Sequence, residues 1–198
     1  MDLFASDPEI NLLPIDGLVN YHGPMMSAEA AANYYEALSS GVPWKNDEVV
    51  IFGKRIVTSR KVAWFGEVPY SYSGTTKEAL PWSSELQALK AMVEERCGTI
   101  FNSCLLNLYH DGSEGMGWHS DDEKSIERNS CIASVSFGAE RKFSFKHKRS
   151  GETASIVLES GSLLLMKGET QTHWLHSLPK SKRVKEPRIN LTFRRMVG

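Results

Sequence analysis

From residue 100 onward the chain is a series of short apolar runs, and this pattern leaves few folds open. The runs are 104–109, 131–137, 141–145, 155–158, 162–166 and Arg188–Arg194, separated by Gly, Ser, Asp or Pro. None is long enough for an ordinary helix. Many short strands at this spacing argue a β-sandwich or jelly roll. The last run is the clearest. Arg188, Asn190, Thr192 and Arg194 share one parity, and Ile189, Leu191 and Phe193 share the other. Side chains alternate across a strand, so this one has an apolar face for the core and a polar face carrying two arginines.

The first half reads differently. Residues 1–26 are irregular, broken by Pro8, Pro14, Gly17, Gly23 and Pro24. Ser27 suits the N-cap of a helix over 28–38, which Gly41 and Pro43 end. Residues 48–72 are strand-like. A second helix is expected over about 81–96, with Pro81 in its first turn and Trp82, Leu86, Leu89 and Val93 on one stripe; Gly98 suits the stop. The expected fold is mostly β with flanking helices, an α+β arrangement around a double-stranded β-helix, the jelly roll. A chain of 198 residues fits one domain, 1–198, with the jelly-roll core at about 100–196.

Composition excludes more than it selects. A net charge of −1 gives no global sign of nucleic acid, so local clusters must carry any such claim. Cys97, Cys104 and Cys131 are odd in number and form no C-x-x-C pair, which fits reduced thiols in a cytoplasmic or nuclear compartment. The N-terminus shows no secretory signal, and no apolar stretch is long enough to span a membrane.

Within the β half, His119 and Asp121 are two apart, so in an extended segment both point the same way. A histidine from a neighbouring strand would complete a two-histidine, one-carboxylate set, the type that holds non-haem Fe(II) with positions left open. His176 and His173 both qualify, and spacing does not separate them. If the arginine face of the last strand points where the ligands point, a buried guanidinium needs an anion. No protein carboxylate stands at a matching place in that strand, and a dicarboxylate co-substrate would serve.

Three segments carry a family resemblance. Gly117-Trp118-His119-Ser120-Asp121-Asp122-Glu123, His173-Trp174-Leu175-His176-Ser177-Leu178-Pro179 and Pro187-Arg188-Ile189-Asn190-Leu191-Thr192-Phe193-Arg194 resemble the AlkB family of Fe(II)- and 2-oxoglutarate-dependent dioxygenases, closest to the branch that repairs duplex DNA. The resemblance covers about 48–194. It implies His119, Asp121 and His176 as the iron ligands, in preference to His173. It implies that Arg194 pairs with the distal carboxylate of 2-oxoglutarate, and that Asn107 and Tyr109 also contact this co-substrate. Arg188 is implied as a second active-site arginine with a catalytic and co-substrate role, and Asn190 joins the polar lining. Residues of about 45–80 would recognise the nucleotide. Phe52, in Ile51-Phe52-Gly53-Lys54, would enter the base stack. Tyr70, Tyr72 and Ser73 would line the pocket for a flipped base, with Asp122 and Glu123 at its polar edge.

The implied reaction consumes O₂ and 2-oxoglutarate and removes alkyl groups from bases of the 1-methyladenine and 3-methylcytosine type in DNA, single- or double-stranded. RNA, protein or a small molecule is the alternative substrate, and a non-catalytic nucleic-acid-binding module is the alternative role. The chain is expected to act as a monomer, away from membranes. Basic residues at Arg55, Arg60 and Lys61, at Arg141, Lys142, Lys146, His147, Lys148 and Arg149, and at Lys180, Lys182, Arg183 and Lys185 are candidate phosphate contacts. Each group alone reads as ordinary solvated surface; three around one mouth favour nucleic acid.

Overall fold

The computed structural model describes residues 7–51, 54–67, 70–72 and 75–197. Among the described residues the strands are β1 (Leu18–Pro24), β2 (Lys45–Ile51), β3 (Lys54–Gly66), β4 (Tyr70–Tyr72), β5 (Thr75–Lys77), β6 (Ser103–Tyr109), β7 (Met116–His119), β8 (Ile132–Gly138), β9 (Arg141–His147), β10 (Thr153–Leu158), β11 (Ser162–Lys167), β12 (Trp174–Leu178) and β13 (Arg188–Arg194). Helices are α1 (Ala28–Gly41), α2 (Ser84–Cys97) and the single turn α3 (Thr170–His173). A seven-stranded sheet runs β1-β11-β8-β13-β6-β3-β2, and a four-stranded sheet runs β10-β9-β12-β7. The jelly-roll expectation holds.

Alternation explains the layers. Ile189, Leu191 and Phe193 of β13, with Leu106 and Leu108 of β6 and Val135 and Phe137 of β8, turn outward into one apolar cluster. That cluster is closed by Ala31 and Leu38 of α1 and by Leu86, Leu89 and Val93 of α2. The opposite faces of the same strands point into the sandwich. There, Val19, Tyr21, Phe145, Leu164, Met166 and Trp174 fill one end with a second apolar cluster. The other end is left to polar side chains. Both faces of β13 are therefore buried at every residue.

The helices form where their caps allow. The Ser27 hydroxyl accepts the Ala30 N–H, as expected. For α2 the cap is Ser83, whose hydroxyl accepts the Leu86 N–H, so the helix begins three residues later than Pro81 predicts. Trp82 then lies before the helix and stacks on Phe193, ring centroids 6.4 Å apart. Gly98 ends α2 at φ 63°, in the left-handed region that a glycine adopts without strain. The expected irregularity of 1–26 is corrected by β1, which pairs antiparallel with β11. A strand that follows Gly17 and contains Gly23 and Pro24 offers little pattern of its own, and the partner edge of β11 orders it.

In the segment expected to recognise the nucleotide, β2 and β3 pair antiparallel with Ile51 opposite Lys54. Phe52 itself lies outside the described residues. Tyr70 and Tyr72 belong to β4, which pairs with β5; Ser73 lies outside the described residues. Among the described residues no helix is long and apolar enough to cross a membrane.

Candidate metal centre and its polar floor

The four-stranded sheet brings the two histidines together. β12 pairs antiparallel with β7 and places His176 opposite His119. Their ring centroids are 4.3 Å apart. Asp121 lies just past the end of β7, not on the strand, yet still reaches the histidines: its Oδ1 is 3.8 Å from His119 Nε2. Ligand atoms of His119, Asp121 and His176 all lie within 4.8 Å of one another. His119 Nδ1 meets the Gly117 carbonyl at 2.9 Å, which fixes the ring and leaves Nε2 for a metal. His176 is buried against Phe143 and Phe145.

Burial sets the charges. Desolvation pushes the His176 imidazole down to about 3, so it is neutral and able to ligate. Burial alone would raise the Asp121 carboxyl. The Arg194 guanidinium, then His176 and His119, overcome that and hold it at about 2. Two imidazoles with an ionised carboxylate are the donor set a divalent iron takes.

Arg194 departs from its implied partner. Its Nη2 and Nε donate to Asp121 Oδ2 at 2.7 and 3.2 Å. No carboxylate in its own strand was expected to serve it, and none does. The anion arrives from the loop after β7, 73 residues earlier. An arginine hydrogen-bonded to Asp121 stands at the candidate metal end of the site.

The distal end is built from the inward faces of β6, β13 and β8. Arg188 lies opposite Tyr109 and Asn190 opposite Asn107. Arg188 is buried at 2% exposure. Its Nη2 donates to Ser136 Oγ at 2.8 Å, while its Nε has no hydrogen-bond partner. Its guanidinium lies 5.6 Å from the Tyr109 ring centroid. Burial lowers its pKa to about 10. Among the described residues no carboxylate lies within ion-pair distance of Arg188. Asn107 Oδ1 is also buried without a partner. Asn190 Nδ2 donates to Ser134 Oγ at 2.8 Å and to the Val135 carbonyl at 3.0 Å. A cavity of about 60 Å³ runs between the two ends, lined by both histidines, Asp121, Tyr109, Asn107, Arg188 and Arg194.

A larger cavity, about 460 Å³, opens beside Asp121 and is lined by Asp122, Glu123, Lys148 and Gln171 among others. Asp122 and Glu123 thus share the lining of this cavity with Asp121. Lys148 Nζ donates to Ser120 Oγ at 3.0 Å and to the Gln171 carbonyl at 2.9 Å. Gln171 Oε1 accepts the Asp121 N–H at 2.9 Å.

Several residues went unseen in the sequence. Ser134 and Ser136 share inward parity on β8, and alternation could have found them. Gln171 carried no signal, because its partner is 50 residues away. The basic clusters need correction. Arg60 is buried and paired with Asp47. Arg141 is buried and donates to the carbonyls of Asp111, Glu114 and Pro179. His147 is buried. These three are packing and bracing residues, not phosphate contacts. Lys142, Lys146, Arg149, Lys180, Lys182, Arg183 and Lys185 remain exposed. His173 is not part of the metal centre; it lies beside His147 and Asp16.

Residues 17–194 match the model of the 2OG-Fe(II) oxygenase superfamily. Over 174 residues the chain is 42% identical to alpha-ketoglutarate-dependent dioxygenase alkB homolog 3 of Bos taurus, covering 83% of this chain and 61% of that protein. Over 160 residues it is 44% identical to DNA oxidative demethylase ALKBH2 of Mus musculus, covering 76% of this chain and 67% of that protein. The chain thus spans about three fifths of the length of the first of these relatives. The solved structure of OsALKBH1 gives a TM-score of 0.63 over 92% of this chain and 98% of that one, at 14% identity, a likeness of fold.

Proposed function

This chain belongs to the 2OG-Fe(II) oxygenase superfamily and, within it, to the AlkB family, and from that premise we propose that it is a dioxygenase that removes alkyl groups from N-alkylated bases in DNA, in the repair of alkylation damage. The observation that carries the reading is one inner face holding His119, Asp121 and His176 at one end and the buried, anion-less Arg188 at the other.

The residues fit both groups the family uses. His119, Asp121 and His176 would hold Fe(II). Arg188, Tyr109 and Asn107 would hold 2-oxoglutarate, with the distal carboxylate on Arg188 instead of Arg194. The support for this exchange is that Arg194 already meets a carboxylate, Asp121, whereas among the described residues no carboxylate lies within ion-pair distance of Arg188. A buried cation without an anion is costly, so a dicarboxylate end placed there is favoured by charge and by the planar fork of the guanidinium. When bound, iron, O₂ and 2-oxoglutarate supply an oxidation that hydroxylates the N-alkyl carbon, which then leaves as an aldehyde, with succinate and CO₂ as co-products.

The protein's own part is positioning. Asp122 and Glu123 border the larger cavity beside the metal centre, where the polar edge of a base would lie. Reaching it requires a base to leave the stack, because its pairing edge is closed inside a duplex. Tyr70, Tyr72 and Ser73 would line that pocket and Phe52 would fill the gap, both by family resemblance. The exposed lysines and arginines of 142–149 and 180–185 supply the phosphate contacts. We read the protein as a monomer of the cytoplasm or nucleus, with RNA as a further substrate class.

The test is succinate and aldehyde release on adding Fe(II), 2-oxoglutarate and a 1-methyladenine or 3-methylcytosine oligonucleotide. Release with methylated but not unmethylated DNA is expected. Release that ignores the oligonucleotide, or persists after charge reversal of Lys180, Lys182, Arg183 and Lys185, would move the substrate to protein or a small molecule.

A further inference from the structure

His173 is left unused by the iron centre, and the fold gives it other company. It ends α3, beside His147 at the end of β9 and Asp16 in the loop before β1. Ligand atoms of Asp16, His147 and His173 all lie within 4.8 Å of one another. His147 is 1% exposed, and its Nε2 is buried with no hydrogen-bond partner. Asp16 Oδ2 lies 3.4 Å from that nitrogen. Asp16 and His173 are open to solvent, with side chains 40% and 38% exposed, so an ion has a way in. A buried imidazole nitrogen aimed at a carboxylate and a second imidazole, without a hydrogen bond to either, is an arrangement that a metal ion satisfies.

We propose that Asp16, His147 and His173 form a second divalent-metal site, separate from the iron centre, suited to a borderline ion of the Zn²⁺ or Co²⁺ type. Two imidazoles and one carboxylate suit such ions, and three protein ligands leave a position for water. The surroundings of His147 support ligation and also limit it. Its Nδ1 faces the Ser150 hydroxyl at 2.9 Å and accepts the Ser150 N–H at 3.0 Å. The Ser150 hydroxyl donates to Glu152 Oε2 at 3.0 Å. When a metal takes the Nε2 lone pair, the ring proton moves to Nδ1 and is donated to Ser150 Oγ, with no net proton released. The imidazole is then backed by a hydroxyl and a carboxylate, as metal-bound histidines usually are. The same step takes the Nδ1 lone pair from the Ser150 N–H, which costs the site affinity. Arg149 lies 3.9 Å from Asp16 but is 86% exposed, free to turn away.

The ion would tie the segment before β1 to the β9 end and to α3. That junction adjoins the iron loop, because the Lys148 N–H donates to the His173 carbonyl at 2.8 Å while Lys148 Nζ holds Ser120.

The test counts Co²⁺ by visible absorption and elemental analysis on the full chain, stripped with chelator and titrated at micromolar metal. Wild type is expected to take up one more equivalent than His173→Ala and than Asp16→Ala. The difference is the reading, so it stands whether or not the iron centre accepts Co²⁺. His176→Ala should keep this equivalent. His147 is buried and its replacement risks the fold, which is why the two exposed ligands carry the test. Equal uptake by wild type, His173→Ala and Asp16→Ala would overturn the site.

Discussion

Arg188 and Arg194 begin and end one strand, share its inward face and are both buried, yet they stand in opposite electrostatic states. Arg194 meets a carboxylate from a neighbouring loop at 2.7 Å. Arg188 meets a serine hydroxyl and the face of a tyrosine. Sequence treats them as equivalents, because alternation reports only which face a residue takes. The difference arises from what the topology brings opposite each. The loop after β7 delivers an ionised ligand to one end, and β6 with β8 delivers only neutral groups to the other. One arginine therefore touches the candidate metal centre, and in the function proposed above the other is a socket for an anion.

The largest effect should come from removing the shared carboxylate. Asp121→Ala takes an iron ligand and the partner of Arg194 together. Iron binding and turnover should be abolished, and the metal-free protein should lose about 3–5 kcal/mol, the usual cost of breaking a buried pair from one side. His176→Ala should also abolish iron binding, whereas His173→Ala should leave iron content and turnover near wild type. Iron retained by His176→Ala but lost from His173→Ala would exchange the two histidines.

Next come the arginines themselves. Arg188→Ala should raise the 2-oxoglutarate requirement roughly tenfold to a hundredfold, as a lost charge-assisted contact of about 1.5–3 kcal/mol implies. Iron affinity should change little. Arg194→Ala should reverse the order, weakening iron binding more than it raises the 2-oxoglutarate requirement. If Arg194→Ala alone raised that requirement with iron unaffected, the two ends would have to be exchanged.

Acid stability separates the ends more gently. Burial holds His176 near 3 in the folded protein, against 6.5 when free. Below about pH 6.5 the unfolded chain takes up a proton that the folded chain refuses, so the metal-free protein loses stability as pH falls toward 3. Asp121 acts in a lower window: its contribution is present above 3.8 and is lost as pH falls toward 2. Melting curves between pH 7 and 4 should show the first slope. His176→Gln should flatten it and Arg188→Ala should not. An unchanged slope in His176→Gln would place the titration elsewhere.

The sequence made some of this legible for clear reasons. The two-residue spacing of His119 and Asp121, and the parity of Arg188–Arg194, are local patterns that survive folding. The iron cluster and the polar floor follow from them. β1 was not legible because its order comes from the β11 edge. Arg60 and Arg141 read as surface charge because nothing local reveals Asp47 or the three carbonyls that enclose them. Spacing alone did not choose between His173 and His176; the family resemblance did, and strand register, which neither segment shows alone, sets His176 opposite His119.

The smallest effect should come from Gln171, and it tests how the metal end is held. Asp121 lies beyond the last pair of β7, so no strand partner fixes its backbone. The Gln171 side chain takes that place by accepting the Asp121 N–H, and Lys148 holds the Gln171 carbonyl and Ser120 together. A single neutral hydrogen bond is worth about 1 kcal/mol. Gln171→Ala should therefore weaken iron binding about fivefold, while the 2-oxoglutarate requirement at saturating iron stays near wild type. Gln171→Glu keeps an acceptor for the N–H and should restore much of the loss, although it sets a second carboxylate near Asp121. At the far end Arg188 and Tyr109 are strand residues that pair with each other, so their backbones do not depend on Gln171. If Gln171→Ala raised the co-substrate requirement and left iron affinity alone, the brace would belong to the cavity as a whole, and the division of the site into two independent ends would fail.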